Sequence, residues 1–330
     1  MNEDMSGMGG GKGTEMTVAP NLPPVRAGYF RVVAVGNFDG AHLGHASVVA
    51  AARALAHEKG AGQKAEILAL TFDPHPRAFF QPDKPHFRLL APDMRAEALR
   101  RIGFDDVVIL PFTAEFAALS PEAFIEEVLV QRLQVQGVVV GADFHFGRAR
   151  AGTPAFLVAE GARRGFAVRL VLPFRAEDGS VVSSSAIRTA LAAGGVARAN
   201  AMLGYSYAVR GPVIHGEKRG RDLGYATANM RLDAANGLAH GIYAVWVTID
   251  GQRHPGVASF GRRPHFDNGA PLLETHVFDF AGDLYGKEIE VSFEAYLRGE
   301  AKFESLDALV AQMDADSAKA RALLKATKPS

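Results

Sequence analysis

The chain has 330 residues, 48% of them hydrophobic and 22% charged, which are the proportions of an ordinary folded protein of one or two domains. Its 36 lysines and arginines balance 36 aspartates and glutamates, so no excess of charge marks a general binder of nucleic acid or anionic membrane. Cysteine is absent, which excludes disulfides, thiolate metal sites and a cysteine nucleophile and fits a reducing cytoplasm; no run of 18 apolar residues suggests a membrane span.

Residues 1–27 are rich in Gly, Met and Pro and lack the apolar core of a signal peptide. They are expected to form a disordered leader, with Met16 an alternative start. Gly7 to Thr14 (GMGGGKGT) looks like a P-loop only superficially, because Gly13 follows Lys12 and no strand precedes it. Val32 to Val35 then reads as a buried strand, Gly36 and Gly40 as a tight turn, and Ala46 to His57 as a helix. Its apolar side is Val48, Val49, Ala52, Leu55 and Ala56. Strand, glycine loop and helix bring backbone N–H groups and a positive helix end to one point, which favours an anion such as phosphate. His42 and His45 sit at that point, with Asn37 and Asp39 inside the loop. Two imidazoles there can donate to a phosphate whose charge grows in a transition state. Singly, a glycine turn usually carries no ligand, and HxxH is also a metal pair or a capping pattern.

Further strands are expected at Glu66 to Phe72, Asp106 to Leu110, Gly137 to Gly141 and Ala167 to Leu172. Helices are expected at Met94 to Ile102, Pro121 to Leu133 (capped by Ser120) and Pro154 to Arg164. This alternation predicts a parallel sheet with helices on both faces and ligands beyond the C-terminal strand ends. The loop Asp73-Pro74-His75-Pro76-Arg77 is a rigid turn or a polar site. In GADFHFGRARAG (Gly141 to Gly152), Phe144 and Phe146 either flank a flat ring or anchor the loop, and Asp143 is an acceptor or a turn residue. In VVSSSAIRTAL (Val181 to Leu191) the serines cap a helix. Arg188 lies one turn from Ser184 and Ser185, and together they suit the β- and γ-phosphates of ATP.

Ala192 to Met202 is small and glycine-containing, as a linker would be. Strands follow at Tyr205 to His215, Gly241 to Asp250, Arg253 to Ser259, Leu273 to Phe280 and Glu288 to Tyr296. Turn signals at Asp250-Gly251 and Asp267-Asn268-Gly269 predict an antiparallel barrel. A last helix is expected over Ser305 to Ala326, apolar along Leu306, Leu309, Val310, Met313, Ala320 and Leu323. Gly216, Gly220 and Gly224 punctuate a basic loop, and beyond it Thr227 and Asn229 point the same way in an extended segment. Such neutral oxygens suffice for Mg²⁺ already bound to nucleotide phosphates.

In chain order, GNFDGAHLGH, TFDPHP, GADFHFGRARAG and SSSAIR resemble the adenylyltransferase module of bacterial bifunctional riboflavin kinase/FAD synthetases. GRDLGYATAN, GVASFGRRPHF, LLETHVFDFAGDLYGKEIEV and LRGEAKFESLDALVAQMDADSAKAR resemble their kinase module. The resemblance covers about residues 28–325. It implies an HxGH, Rossmann-like nucleotidyltransferase sheet at 28–195, a linker with a short helix and hinge at 196–204, and an antiparallel β-barrel kinase domain with a C-terminal helix at 205–330. ATP would phosphorylate riboflavin to FMN and then adenylylate FMN to FAD, with Mg²⁺ as cofactor. Implied ATP contacts in the first domain are Gly36, Asn37, Phe38, Asp39, Gly40, His42, His45, Ser184, Ser185 and Arg188; implied flavin contacts are Asp73, Pro74, His75, Asp143, Phe144 and Phe146. In the kinase domain the resemblance assigns ATP to Gly220, Gly224, Thr227 and Asn229, the last two with Mg²⁺; Glu274 would be general base and, with Arg298, hold the flavin. It further implies a cytoplasmic monomer or weak homo-oligomer whose partners are flavins and ATP, without nucleic acid or membrane.

Three positions depart from the family pattern: Ser185 for threonine, Ala226 for proline and His265 for threonine. The last two leave open an FAD synthetase with a weak or inactive kinase. A flavin-binding protein without turnover and an HxGH adenylyltransferase for another substrate are the readings from other classes.

Overall fold

The computed structural model describes residues 23–215, 225–262 and 271–326. Five parallel strands, β1 (Tyr29–Val35), β2 (Lys64–Asp73), β3 (Asp106–Pro111), β4 (Gly137–Gly141) and β5 (Ala167–Val171), lie in the order β3-β2-β1-β4-β5. Every residue of β1 after Tyr29 is buried, because helices cover both faces. Alternation along the strands divides them between two cores. Val33, Leu68, Leu70, Val138 and Val140 face one side, and Val32, Ala34, Ile67, Ala69 and Val139 the other.

The helices of this half are α1 (Leu43–Lys59), α2 (Pro76–Phe80), α3 (Pro92–Arg101), α4 (Ala114–Ala117), α5 (Pro121–Ala123) and α6 (Pro154–Arg164). α1 and α3 pack on the second core; α6 and Phe124–Arg132, wound as a π-helix continuing α5, pack on the first. The helix expected at 121–133 is thus mostly wider-wound, and Leu133 N–H donates to Val128 O at 3.0 Å. The chain winds from β1 outward to β3, then returns to β4 on the other side of β1. Loops leaving β1 and β4 therefore diverge at a switch point, where parallel sheets hold ligands.

One boundary differs from the expected one. The leader was expected to run to residue 27, but Pro23 and Pro24 carbonyls accept from Arg31 Nη2 at 3.3 and 2.6 Å, and Arg26 pairs with Glu66 at 3.3 Å. Arg31 is buried beside Glu66 at 2.6 Å, and a buried guanidinium requires those acceptors. The short helix expected in the linker is α8 (Val196–Leu203), which follows α7 (Ser184–Ala192). Val196, Ala199, Met202 and Leu203 of α8 are buried in the same core as Val245 and Phe293.

That core fills a six-stranded antiparallel sheet. Its strands are β6 (Ala208–Pro212), β7 (Thr227–Arg231), β8 (Gly241–Ile249), β9 (Gln252–Arg262), β10 (Pro271–Val277) and β11 (Glu288–Arg298). They run in the order β6-β11-β8-β9-β10-β7, and an Ile214–Asn229 bridge nearly closes them into a barrel. Asp250 and Gly251 both have positive φ (50° and 80°), the conformation a two-residue hairpin demands. Segment 205–215 is only partly strand, since Tyr205 instead sends its hydroxyl to Gly40 O at 2.7 Å. α9 (Leu306–Ala326) lies outside the barrel over Ala244, Phe278 and Leu297, through Ala320 and Leu324. The expected apolar side holds in part: Ala320 is buried and Leu309, Val310 and Met313 are half-buried, but Leu306 and Leu323 are exposed, Leu324 is buried instead, and Asp316 is buried because Arg298 binds it.

Candidate active sites

The first site forms where β1 ends. Gly40 has φ +91°, and a Cβ there would come within 2.7 Å of Leu89 Cδ1, so only glycine fits the turn. His42 is the N-cap of α1, which begins at Leu43, three residues earlier than the helix start expected, and the first turn holds no acidic residue. His42 and His45 rings stack with centroids 3.6 Å apart and an interplanar angle of 17°. His42 N–H donates to His45 Nδ1 at 3.2 Å, so the neutral His45 carries its proton on Nε2. His42 is 6% exposed and its Nδ1 has no hydrogen-bond partner. Burial pushes the His42 imidazole down to about 4, with the Arg188 charge adding to it. Burial, then His42, holds His45 well below its usual value. Both rings are therefore neutral at pH 7 and face the positive end of a 17-residue helix.

Several loop residues are turned inward, onto partners within the protein. Phe38 is buried, packed edge-on against His45 (5.1 Å) and Phe104 (5.3 Å). The buried Asp39 carboxylate accepts from Leu89 N at 3.0 Å and Leu90 N at 3.4 Å and pairs with Arg188 Nη2. Arg188 Nε donates to Phe87 O at 2.6 Å, and Ser184 Oγ to Asp39 O at 2.7 Å. Ser183 is the cap of α7, accepting from Ala186 N at 3.2 Å, while Ser185 is exposed. The expected ATP contacts Phe38, Asp39 and Ser184 thus build the walls of the site. The reason is that a carboxylate buried in the loop needs donors, and α7 and segment 87–90 supply them. Gly36 stands at the end of β1, and Asn37 is exposed, with its carbonyl accepting from Thr71 Oγ1 at 2.9 Å.

The DPHP loop lies at the end of β2, next to β1. Asp73 is 3.3 Å from Arg88 and 3.8 Å from Arg95, and Pro74 is exposed. His75 Nδ1 caps α2, accepting from Arg77 N at 3.1 Å, and its ring lies 4.4 Å from that of His86. Burial, then the charge of His86 and of Arg188, Arg95 and Arg88, pushes His75 down to about 3. In the loop after β4, Asp143 is exposed and its carbonyl meets His145 Nδ1 at 2.9 Å. Phe144 and Phe146 stack at 5.5 Å and 15°. They stack on each other, whereas a flat ring held between them would need twice the contact distance of about 3.5 Å. Phe146 is instead a buried anchor against Phe124 at 5.3 Å.

Sequence reasoning missed His86, Arg88 and Arg95. The signal was present: segment 81–90 places basic and aromatic residues among prolines directly after a loop already suspected. It also missed Phe79, Phe80 and Phe112, which extend an aromatic column outward from the buried Phe72 and Phe116; Phe80, at its tip, is 63% exposed.

The second site lies on the barrel. Asn229 on β7 is opposite Glu274 on β10. Thr227 shares its side of the strand, and Asn229 Nδ2 is 3.3 Å from Thr227 O. A cavity of about 430 Å³ is lined by residues 226–229 with Val213, Phe280, Asp283 and Tyr285. His215 and Tyr285 rings lie 3.9 Å apart beside it. Glu274 borders Asn229 without lining the cavity. Arg298, expected to help hold the flavin, has Nε and Nη2 engaged by Asp316 of α9, at 3.0 and 2.7 Å. It clamps the helix to β11. Gly220, Gly224 and His265 lie outside the described residues.

Comparison with known proteins follows the same division. The FAD synthetase family model matches residues 28–186 and the riboflavin kinase model residues 203–324. A bifunctional riboflavin kinase/FMN adenylyltransferase of Pseudomonas fluorescens is 41% identical over 92% of this chain and 95% of its own. The protein of that description from Escherichia coli K12 is 37% identical over 90% of this chain and 94% of its own. A solved structure described as a macrolide-efflux protein from Streptococcus pneumoniae superposes with a TM-score of 0.80 at 32% identity, covering 91% of this chain and 95% of that one. Among the described residues of this chain, no helix is long and apolar enough to cross a membrane.

Proposed function

This chain belongs to the bifunctional riboflavin kinase/FMN adenylyltransferase family, and from that premise we propose how its two halves divide the work. The barrel phosphorylates riboflavin to FMN; the parallel-sheet half joins FMN to the AMP part of ATP, giving FAD. The observation that carries the second assignment is the stacked His42–His45 pair at the head of α1, at the sheet's switch point.

In the adenylyl transfer, an oxygen of the FMN phosphate attacks the α-phosphorus of ATP. A new P–O bond forms as the bond from the α-phosphorus to the bridging oxygen breaks, and pyrophosphate leaves with that electron pair. His45 Nε2–H and the α1 N-terminus donate to the α-phosphate oxygens, whose charge grows. An anion at this point also raises the affinity of both imidazoles for protons. Arg188, with donors left after Phe87 and Asp39, lies at the pyrophosphate end. The exposed Phe80 at the tip of its aromatic column suits a flat apolar ring. The protein supplies chiefly position and charge.

In the phosphorylation, Glu274 takes the proton of the ribityl 5′-hydroxyl as its oxygen attacks the γ-phosphorus and ADP leaves. The nucleotide occupies the cavity between β7 and residues 280–285. Mg²⁺ is the fitting cation, since the Thr227 hydroxyl and the Asn229 amide oxygen are hard oxygen donors beside the Glu274 carboxylate. When bound with the nucleotide, it supplies charge neutralisation on the phosphates.

Chromatography of flavins after two incubations with ATP and Mg²⁺ tests this reading. Riboflavin should give FMN and FAD, and supplied FMN should give FAD. No product from either flavin would overturn it.

A further inference from the structure

Thr227, Asn229, Glu274 and His276 stand at the corners of one cross-strand square. β7 and β10 pair antiparallel with His276 opposite Thr227 and Glu274 opposite Asn229. On β10, Leu273, Thr275 and Val277 are buried and Glu274 and His276 are not, so all four corners share the face turned away from the barrel core. Three corners have parts in the phosphorylation site above. His276 has none.

The His276 Nδ1 atom is 2.9 Å from the carbonyl oxygen of Ala226. A carbonyl only accepts, so Nδ1 carries the proton and donates it. The acceptor belongs to the peptide that leads into Thr227, and the plane of that peptide directs the Thr227 side chain. Ala226 has no ring to fix its own φ, so the His276 hydrogen bond restrains a residue that does not restrain itself. The imidazole is itself held: its ring is 5.0 Å from Tyr225 and 5.7 Å from Phe278, and the Tyr225 hydroxyl bonds Asp314 of α9.

We propose that His276 is a positioning residue of the phosphorylation site. It fixes the Ala226–Thr227 peptide so that Thr227 and Asn229 meet the nucleotide phosphates and their cation together. The inference rests on the kinase reading of the barrel.

The test uses the full chain with His276→Leu, which has similar bulk and no donor, and His276→Asn, whose amide nitrogen takes the place of Nδ1. Riboflavin phosphorylation is followed at varied Mg·ATP. In His276→Leu the KM for ATP should rise about 3- to 10-fold, the worth of one hydrogen bond, while kcat changes by about 2-fold at most. His276→Asn should stay near wild type, and FAD formation from supplied FMN should be unchanged in both. If His276→Leu does not fold, His276→Asp replaces it; it is isosteric with Asn and turns an oxygen on the Ala226 carbonyl, so it should show the raised KM that Asn does not. An unchanged KM in His276→Leu, or equal losses in the donor and non-donor variants, would overturn the inference alone. A wild-type chain that never phosphorylates riboflavin would overturn the kinase reading, and this inference with it.

Discussion

Asp39 and Arg188 form an ion pair across 149 positions of sequence, joining the HxGH loop to α7. The side chains are 6% and 18% exposed. Through Leu89, Leu90 and Ser184 the same aspartate also gathers the segment before α3 and the start of α7 around the histidine pair. Removing one partner leaves the other charge without compensation in a poorly hydrated place, which costs on the order of 3 kcal/mol. Asp39→Ala should therefore lower the denaturation midpoint and depress FAD formation far more than riboflavin phosphorylation. Urea unfolding at pH 7 with both flavin assays checks this, and an unchanged midpoint would refute the structural role.

The strands and loops that carry both candidate sites were legible in the sequence; the directions of their side chains were not. Strand, glycine loop and helix around His42 and His45 carry their own periodicity and turn chemistry. So do the Asp250-Gly251 hairpin and the alternation of β10. Asp39 looked like a nucleotide contact because its spacing in the loop is right, yet its partners sit at 89, 90 and 188. Phe146 was open between ligand contact and anchor, and only the position of Phe124 decides it. α9 shows the same limit. Its buried face includes Asp316, a residue no hydropathy pattern places inside, because its partner Arg298 lies on another element.

Replacing His45 by alanine should remove the Nε2 donor from the α-phosphate while leaving the barrel untouched. Loss of one preorganised donor to a developing charge typically costs about 10²- to 10³-fold in kcat. FAD formation from FMN should fall by that order and FMN formation from riboflavin should persist. Equal loss of both activities in the flavin assays would sink the assignment of two separate sites.

The complementary variant is Glu274→Gln, which keeps the size of the side chain and removes the base. Phosphorylation of riboflavin should fall by about 10²- to 10⁴-fold, the range for a general base, with FAD formation from supplied FMN intact. Unchanged phosphorylation would refute Glu274 as the base. Loss of both reactions would show instead that β10 matters for folding.

Acid should destabilise the chain through its buried imidazoles. His42 is held down to about 4 and His75 to about 3, each chiefly by burial, while His45 and His86 are lowered in the same direction. Unfolded, each titrates near 6.5. Between those values the unfolded chain binds protons that the folded chain refuses, so stability rises with pH. The contribution is complete above about pH 7.5. It is lost as pH falls through 6.5 toward 4 for His42 and 3 for His75. For His42 alone the shift corresponds to about 3 kcal/mol. The thermal midpoint should therefore drop steeply from pH 7 to pH 5, and less steeply in His42→Asn. ATP acts in the opposite sense, since its phosphates favour imidazolium. Nucleotide binding near pH 6 should take up protons, seen as a binding heat that depends on the ionisation enthalpy of the buffer. A buffer-independent heat, equal in wild type and His42→Asn, would remove the histidine pair from the phosphate site.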